Sequence, residues 1–325
     1  MRKTLIVLVA GISIFFSQSA FAEQYAGRTE IYPLQSMTLS TTQFLTGQAN
    51  GKPVTIAGEL RFPVGKPGTK FPAVILVHGS SGIIMNYDRW AHELNSIGVA
   101  VFILDSFSGR GIFSTSTDQG QLDHLAMLYD AYRALDLLAS NPQIDPQRIG
   151  ILGFSKGGVA GLYAAVDRFN SSYGSKKARF ALYMAVYPPC YEYKDELKVD
   201  KKPIIVFHGI ADDYVPMAPC LEYINRLQAA GFNAKLYGYP NAYHGFDFEL
   251  LPEKLFLPTV QQTVKCKIRE GEDGVAINVE TGKAFSLQDT CSGLGATVGY
   301  NKEAHLKAIE DLKREVKSVF KIEDK

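Results

Sequence analysis

The chain has 325 residues, 46% of them hydrophobic, and its 34 Lys and Arg nearly cancel its 33 Asp and Glu, for a formal net charge of +1. That balance supplies no field for nucleic acid or an anionic membrane surface as a partner. No run of like charges and no internal repeat stands out, which leaves a globular protein as the class to be explained.

The first residues read as an address. "MRK" precedes an apolar stretch from Leu5 to Phe16, and a small-x-small pattern follows at Ala20-Phe21-Ala22. The apolar core is short for a bilayer span, and polar sequence comes after it. The expectation is a cleaved signal peptide over 1–22, Glu23 as the mature N-terminus, and no stable membrane anchor after cleavage. Residues 23–325 are then one domain, periplasmic or secreted. Its length gives no oligomeric state.

From Thr29 to Phe71, apolar and polar residues alternate in "YPLQSMTLS" and "PVTIAGELRFP", which predicts antiparallel strands. "AVILVHG", Ala73 to Gly79, is a continuous apolar run ending in glycine, as a buried parallel strand would be. Helix-like "NYDRWAHELNSIG" and strand-like "VAVFILD" come next, then helix-like "QLDHLAMLYDAYRALDLLAS" and strand-like "RIGILGF". A small-residue helix, "KGGVAGLYAAVDRF", is followed by the strands "FALYMAVYP" and "KPIIVFHG", the helix "APCLEYINRLQAAG" and the strand "NAKLYGYP". Leu306, Ile309, Leu312 and Val316 mark a closing helix. Such alternation predicts an α/β fold, a parallel sheet covered on both faces.

All four cysteines lie in the exported part, where an oxidising compartment favours disulfides. Four cysteines allow three pairings. Cys266 and Cys291 bracket a Gly-rich segment that reads as an exposed hairpin. Cys190 and Cys220 follow two successive predicted strands, whose ends should be neighbours. The layout therefore favours Cys266 with Cys291 and Cys190 with Cys220.

Candidate chemistry starts at Gly153-Phe154-Ser155-Lys156-Gly157, which follows a predicted strand and opens a helix. A tight turn there lifts a serine hydroxyl clear of the sheet and aims the following helix N-terminus at developing negative charge. Serine needs a base. In the order Ser, acid, His, only His208, His244 and His305 follow Ser155. His208 ends a strand ahead of the acid candidates, and His305 falls within the C-terminal helix pattern. His244 comes in the loop after the last predicted sheet strand, where such sheets place reactive groups. "HGIADDYVP" offers Asp212 or Asp213 as the acid, the other being a turn residue. The backbone N–H groups of Lys156 and of Ser80, in "HGSSG", are the candidate oxyanion donors.

With Ser155, His244, the two aspartates and "HGSSG" in place, the chain from about Pro53 to the final helix resembles the dienelactone hydrolase branch of the α/β-hydrolases. "HGIADDYVP" is similar to the family's acid turn, and the resemblance makes Asp212 the acid. "AYHGFD" matches the segment that carries the family's histidine, and "DSFSGRG" resembles the segment after the strand following the first helix. Two departures stand out. Members that open dienelactone rings use a cysteine nucleophile and a controlling glutamate, where this chain has Ser155 and Gly79. The segment bounded by Cys266 and Cys291 is an insertion relative to compact members, similar to one in exported, serine-bearing relatives.

Arg110 and Tyr214 are candidate substrate contacts, Arg110 either for an anionic group or as a structural residue bonding the carbonyls of its own loop; Tyr187, Tyr191, Tyr243 and Phe246 also flank the site. "GLGATVG", near Gly293, follows no predicted strand and is no dinucleotide loop. No His, Cys, Asp and Glu cluster has metal-ligand spacing, and no cofactor is expected. The reading is a serine hydrolase of a small-molecule ester or lactone. A prolyl-oligopeptidase-type peptidase is second, with no room for a large gating domain. A non-catalytic envelope binding protein on the same fold is the alternative from another class.

Overall fold

The computed structural model describes residues 27–66 and 68–323. The expected signal peptide lies outside the described residues. Strands β1 (Arg28–Thr38) and β2 (Lys52–Phe62) form an antiparallel ribbon with Arg28 opposite Phe62. The short helix α1 (Thr41–Leu45) sits between them, closed by a capping box of Ser40 and Gln43.

Next come β3 (Phe71–Val77), α2 (Asn86–Asn95), β4 (Ala100–Asp105), α3 (His124–Ser140) and β5 (Ile144–Phe154). The segment around Ser155 leads into α4 (Gly158–Tyr163) and α5 (Asp167–Tyr173). β6 (Leu182–Val186), β7 (Ile204–Gly209), α6 (Met217–Ala229) and β8 (Ala234–Tyr239) complete the main sheet. Its order is β1-β2-β4-β3-β5-β6-β7-β8. β2 meets β4 antiparallel, and every later neighbour is parallel.

Every residue of β3 is buried, because both faces of the sheet are covered. α3 packs Leu128 and Leu135 into one core; Trp90 of α2 is buried in the other with Leu312 and Val316. The single helix expected after Ser155 is two. Val166 is extended (φ −65°, ψ 122°) and bridges Val199, so the chain turns between α4 and α5.

The C-terminal region adds what periodicity did not reveal. β9 (Leu255–Gln262) pairs antiparallel with β12 (Gly293–Val298), the former "GLGATVG" stretch. Between them runs the hairpin β10 (Ile268–Glu270) and β11 (Ala276–Asn278). α7 (Lys302–Phe320) closes the chain. Disulfides join Cys190 to Cys220 and Cys266 to Cys291. Among the described residues, no helix is long and apolar enough to cross a membrane.

Candidate active site

The parallel strands end on one edge of the sheet, and their outgoing loops meet there. β5 delivers Ser155. The turn is too tight for side chains on either flank: a Cβ on Gly153 would lie 2.0 Å from the Gly157 carbonyl oxygen, and one on Gly157 would lie 2.2 Å from that of His78. Ser155 itself is left-handed, with φ 50°. Such a conformation costs a non-glycine residue on the order of 1 to 3 kcal/mol and persists where its surroundings enforce it.

The loops after β7 and β8 bring Asp212 and His244. His244 Nε2 is 2.9 Å from Ser155 Oγ, and Nδ1 is 2.8 Å from Asp212 Oδ2. A carboxylate only accepts, so Nδ1 carries the proton and the Nε2 lone pair faces the serine hydroxyl. The other oxygen of Asp212 accepts from the backbone N–H groups of Tyr214 and Val215, at 3.0 and 2.8 Å. These bonds fix the carboxylate. His244 is buried between the Tyr187 and Tyr214 rings, 4.4 and 4.9 Å away. Its loop is also tied to β12, through a bridge to Val298 and a bond from Gly299 N to the His244 carbonyl.

The loop after β3 lies against Ser155, since a Cβ on Gly79 would be 3.2 Å from the serine's own. A Cβ there would require the serine turn to give by a few tenths of an ångström, since it would also stand 3.2 Å from the Phe154 carbonyl oxygen. Gly79 N–H donates to the Tyr87 hydroxyl at 2.9 Å, so the next donor in line is that of Ser80. Ser80 is clamped from the 114–119 segment: its carbonyl accepts from Thr115 N at 2.8 Å, and its hydroxyl donates to Gln119 Oε1 at 3.1 Å. The buried Lys156 ammonium reaches the same segment, donating to Gln119 O, Gln119 Oε1 and Thr115 Oγ1 at 2.7, 3.2 and 3.3 Å. Burial pushes its pKa down to about 8, against the pull of Asp123 and Asp118.

Arg110 is a correction. All five of its donors are spent inside the protein, on Asp130 (2.8 and 3.0 Å), Thr38, Met37 and Ser106. The pair is buried and far better served by its own partner than by a ligand. Arg110 is therefore no substrate contact; it pins the 106–110 turn to β1 and α3. Asp213 faces away from His244 and accepts from Thr297 N and Oγ1 at 2.8 and 2.7 Å, fastening β12. His305 is buried in the packing of α7 near Trp90.

Two residues went unnoticed in the sequence. Gln119 belongs to a glycine-containing turn with no motif to flag it. Asp247 stands in plain view in "HGFD" but is fully buried behind the histidine. It accepts from Asn86, Trp90 and Tyr187 at 2.6, 2.7 and 2.8 Å. Through Tyr187, whose φ is 42°, it holds an aromatic ring against His244.

A cavity of about 180 Å³ opens from Ser80, Ser155 and Lys156 toward Tyr191, Tyr214 and the disulfide-closed segment. His124 lines it, stacked on Tyr191, and burial drives its pKa down to about 3, so the ring is neutral at neutral pH. Among the described residues, no group of three or more His, Cys, Asp and Glu is placed to hold a metal ion.

A family model described as the dienelactone hydrolase family matches residues 59–255. The chain is 25% identical over 244 residues to a "Putative carboxymethylenebutenolidase" of Methylorubrum extorquens, covering 67% of this chain and 80% of that one. It is 23% identical over 221 residues to an "Uncharacterized peptidase YuxL" of Bacillus subtilis, covering 59% of this chain but only 34% of that one. Among solved structures, a dienelactone hydrolase-like promiscuous phosphotriesterase from metagenomic libraries superposes with a TM-score of 0.56 at 16% identity. That match covers 90% of this chain and 98% of the other. It establishes the fold.

Proposed function

This chain belongs to the dienelactone hydrolase family, and we propose that it works as a serine esterase or lactonase on a small molecule, through an acyl-enzyme. One observation carries the reading: Ser155 Oγ, His244 and Asp212 form an unbroken line of hydrogen bonds at 2.9 and 2.8 Å. Ser155 attacks the ester carbonyl as His244 Nε2 takes its proton. Asp212 holds the tautomer and stabilises the imidazolium. The tetrahedral oxyanion is held by the backbone N–H groups of Ser80 and Lys156. His244 then protonates the leaving alkoxide. Water, activated by the same histidine, attacks the acyl-enzyme, and collapse releases the carboxylic acid and Ser155.

The runner-up is peptide hydrolysis. The peptidase relative shares only a third of its own length with this chain, and the cavity beside Ser155 is the size of a small group. Both observations favour the small ester. Export to the periplasm or beyond remains part of the proposal, supported by the two disulfides.

Treatment of the purified protein with a fluorophosphonate probe, followed by peptide mapping, tests the reading. A single adduct on Ser155, absent in His244→Ala, supports an activated serine. A folded protein that takes up no label and cleaves no ester would overturn it.

A further inference from the structure

We propose that the disulfide-closed segment from Cys266 to Cys291 is the specificity wall of this site, and that the cavity behind it takes an uncharged apolar group the size of one ring or a short alkyl chain. The inference rests on Ser155 being the nucleophile, as proposed above.

The segment is docked against the body of the protein at several points. Glu270 is buried and pairs with Arg168 of α5, Nη1 to Oε1 at 2.9 Å. It also accepts from Lys194 N at 2.9 Å, and its own N–H donates to the Glu192 carbonyl at 2.8 Å. The turn at Gly274 rests on α1, where a Cβ would stand 2.8 Å from Thr46 Cγ2 and 3.1 Å from Leu45 Cβ. Leu287 lies against the 118–121 turn, 3.3 Å from where Gly120 would carry a Cβ. With Cys266 bonded to Cys291, both ends of the excursion are held together. A wall anchored in this way sets a fixed dimension.

The chemistry of the cavity follows from its lining. Leu45, Leu122, Ile268, Tyr191, Phe285 and Leu287 make its sides. Three of the charged groups that reach it are already bound: Lys156 to Gln119 and Thr115, Glu270 to Arg168, and Asp123 to Thr41 N at 2.7 Å. His124 is uncharged at neutral pH. Glu192 and Arg269 are exposed and of opposite sign. A charged ligand group buried beside Lys156, Asp123 and Glu270 would meet side chains that already have partners, while an apolar group would displace none of them. A cavity of about 150 Å³ holds one benzene-sized molecule, so about 180 Å³ admits a group of that order.

The test is a chain-length series of 4-nitrophenyl esters, acetate to decanoate, alongside acetate esters of alcohols of matched length. kcat/KM is measured for wild type, Leu287→Ala, Phe285→Ala and Leu287→Trp. A rate step of about tenfold or more for one methylene is within reach of a fixed apolar pocket. Wild type should peak at intermediate length in one of the two series. The two alanine variants should raise the long-to-short ratio about tenfold, and Leu287→Trp should lower it. 4-Nitrophenyl monosuccinate should react at least tenfold more slowly than the pentanoate.

Length profiles unchanged in folded variants, or equal rates for the succinate, would overturn the inference while leaving the hydrolase intact. No cleavage of any ester and no labelling of Ser155 would instead bring down the hydrolase reading, and this inference with it. If Leu287→Ala does not fold, Phe285→Ala and Leu287→Trp still decide the question.

Discussion

The ammonium of Lys156 lies 2.7 Å from the carbonyl oxygen of Gln119 and 3.2 Å from its side-chain oxygen. That same side-chain oxygen accepts from the Ser80 hydroxyl at 3.1 Å. One glutamine thus ties together the two residues whose backbone N–H groups are assigned to the oxyanion. Its N–H also donates to Gln261 of β9 at 2.7 Å, and its amide to Tyr214 at 3.4 Å. Losing an oxyanion donor costs about 100- to 1,000-fold in kcat. Gln119→Ala should loosen both donors without removing either, and lower kcat roughly 10- to 100-fold with KM within about threefold. Gln119→Glu, which keeps the acceptor, should recover much of the loss. Wild-type kcat in Gln119→Ala would dismiss the linkage.

A pH profile separates the chemistry of Lys156 from its effect on stability. The protonated ammonium makes three donations, and it loses one donor as pH rises through about 8. Activity should therefore fall on the alkaline side with a midpoint near 8. Lys156→Met should have a lower plateau and lack that limb. Stability runs the other way. An unfolded lysine keeps its proton to about pH 10.4, so between about 8 and that value the unfolded state binds more protons and stability rises with pH. Thermal melts that fell in step with activity would assign the limb to unfolding.

Neighbouring aspartates should differ sharply. Asp212→Asn disturbs the tautomer of His244 and should reduce kcat about 10,000-fold, as loss of the orienting carboxylate does elsewhere. Asp213→Asn weakens two bonds to Thr297 and should cost about 1 to 2 kcal/mol of stability, with activity within roughly tenfold. Steady-state kinetics and melting curves on both variants check this. The reverse ranking would exchange the two roles.

Tyr187→Phe should destabilise the fold by about 1 to 3 kcal/mol, because Asp247 is fully buried and would lose one of its three donors. The ring still packs on His244, so kcat should drop only several-fold. Tyr187→Ala removes the ring and should lower kcat much further. Melting temperature and kcat, read together, distinguish these effects; equal kcat in the two variants would show that the ring does not position the histidine.

Much of this architecture was legible in the sequence because its signals are local. Continuous apolar runs announced the buried strands, and glycines flanking Ser155 announced a turn with no room for side chains. The loop after the last sheet strand singled out His244, since parallel strands all end on one edge of the sheet. Spacing could not separate Asp212 from Asp213. Adjacent side chains leave the backbone in different directions, and only the folded loop sends one to His244 and the other to Thr297. Arg110 reads the same whether it meets a ligand or Asp130, because a guanidinium's partners come from distant elements. The same holds for Gln119, whose contact with Gln261 spans 142 positions, and for the disulfide-closed segment that lines the cavity. The sequence by itself determined the strands, the turns and the kinds of groups at their ends. Tertiary structure alone decided which of those groups meet, because contacts between remote segments leave no local periodicity to read.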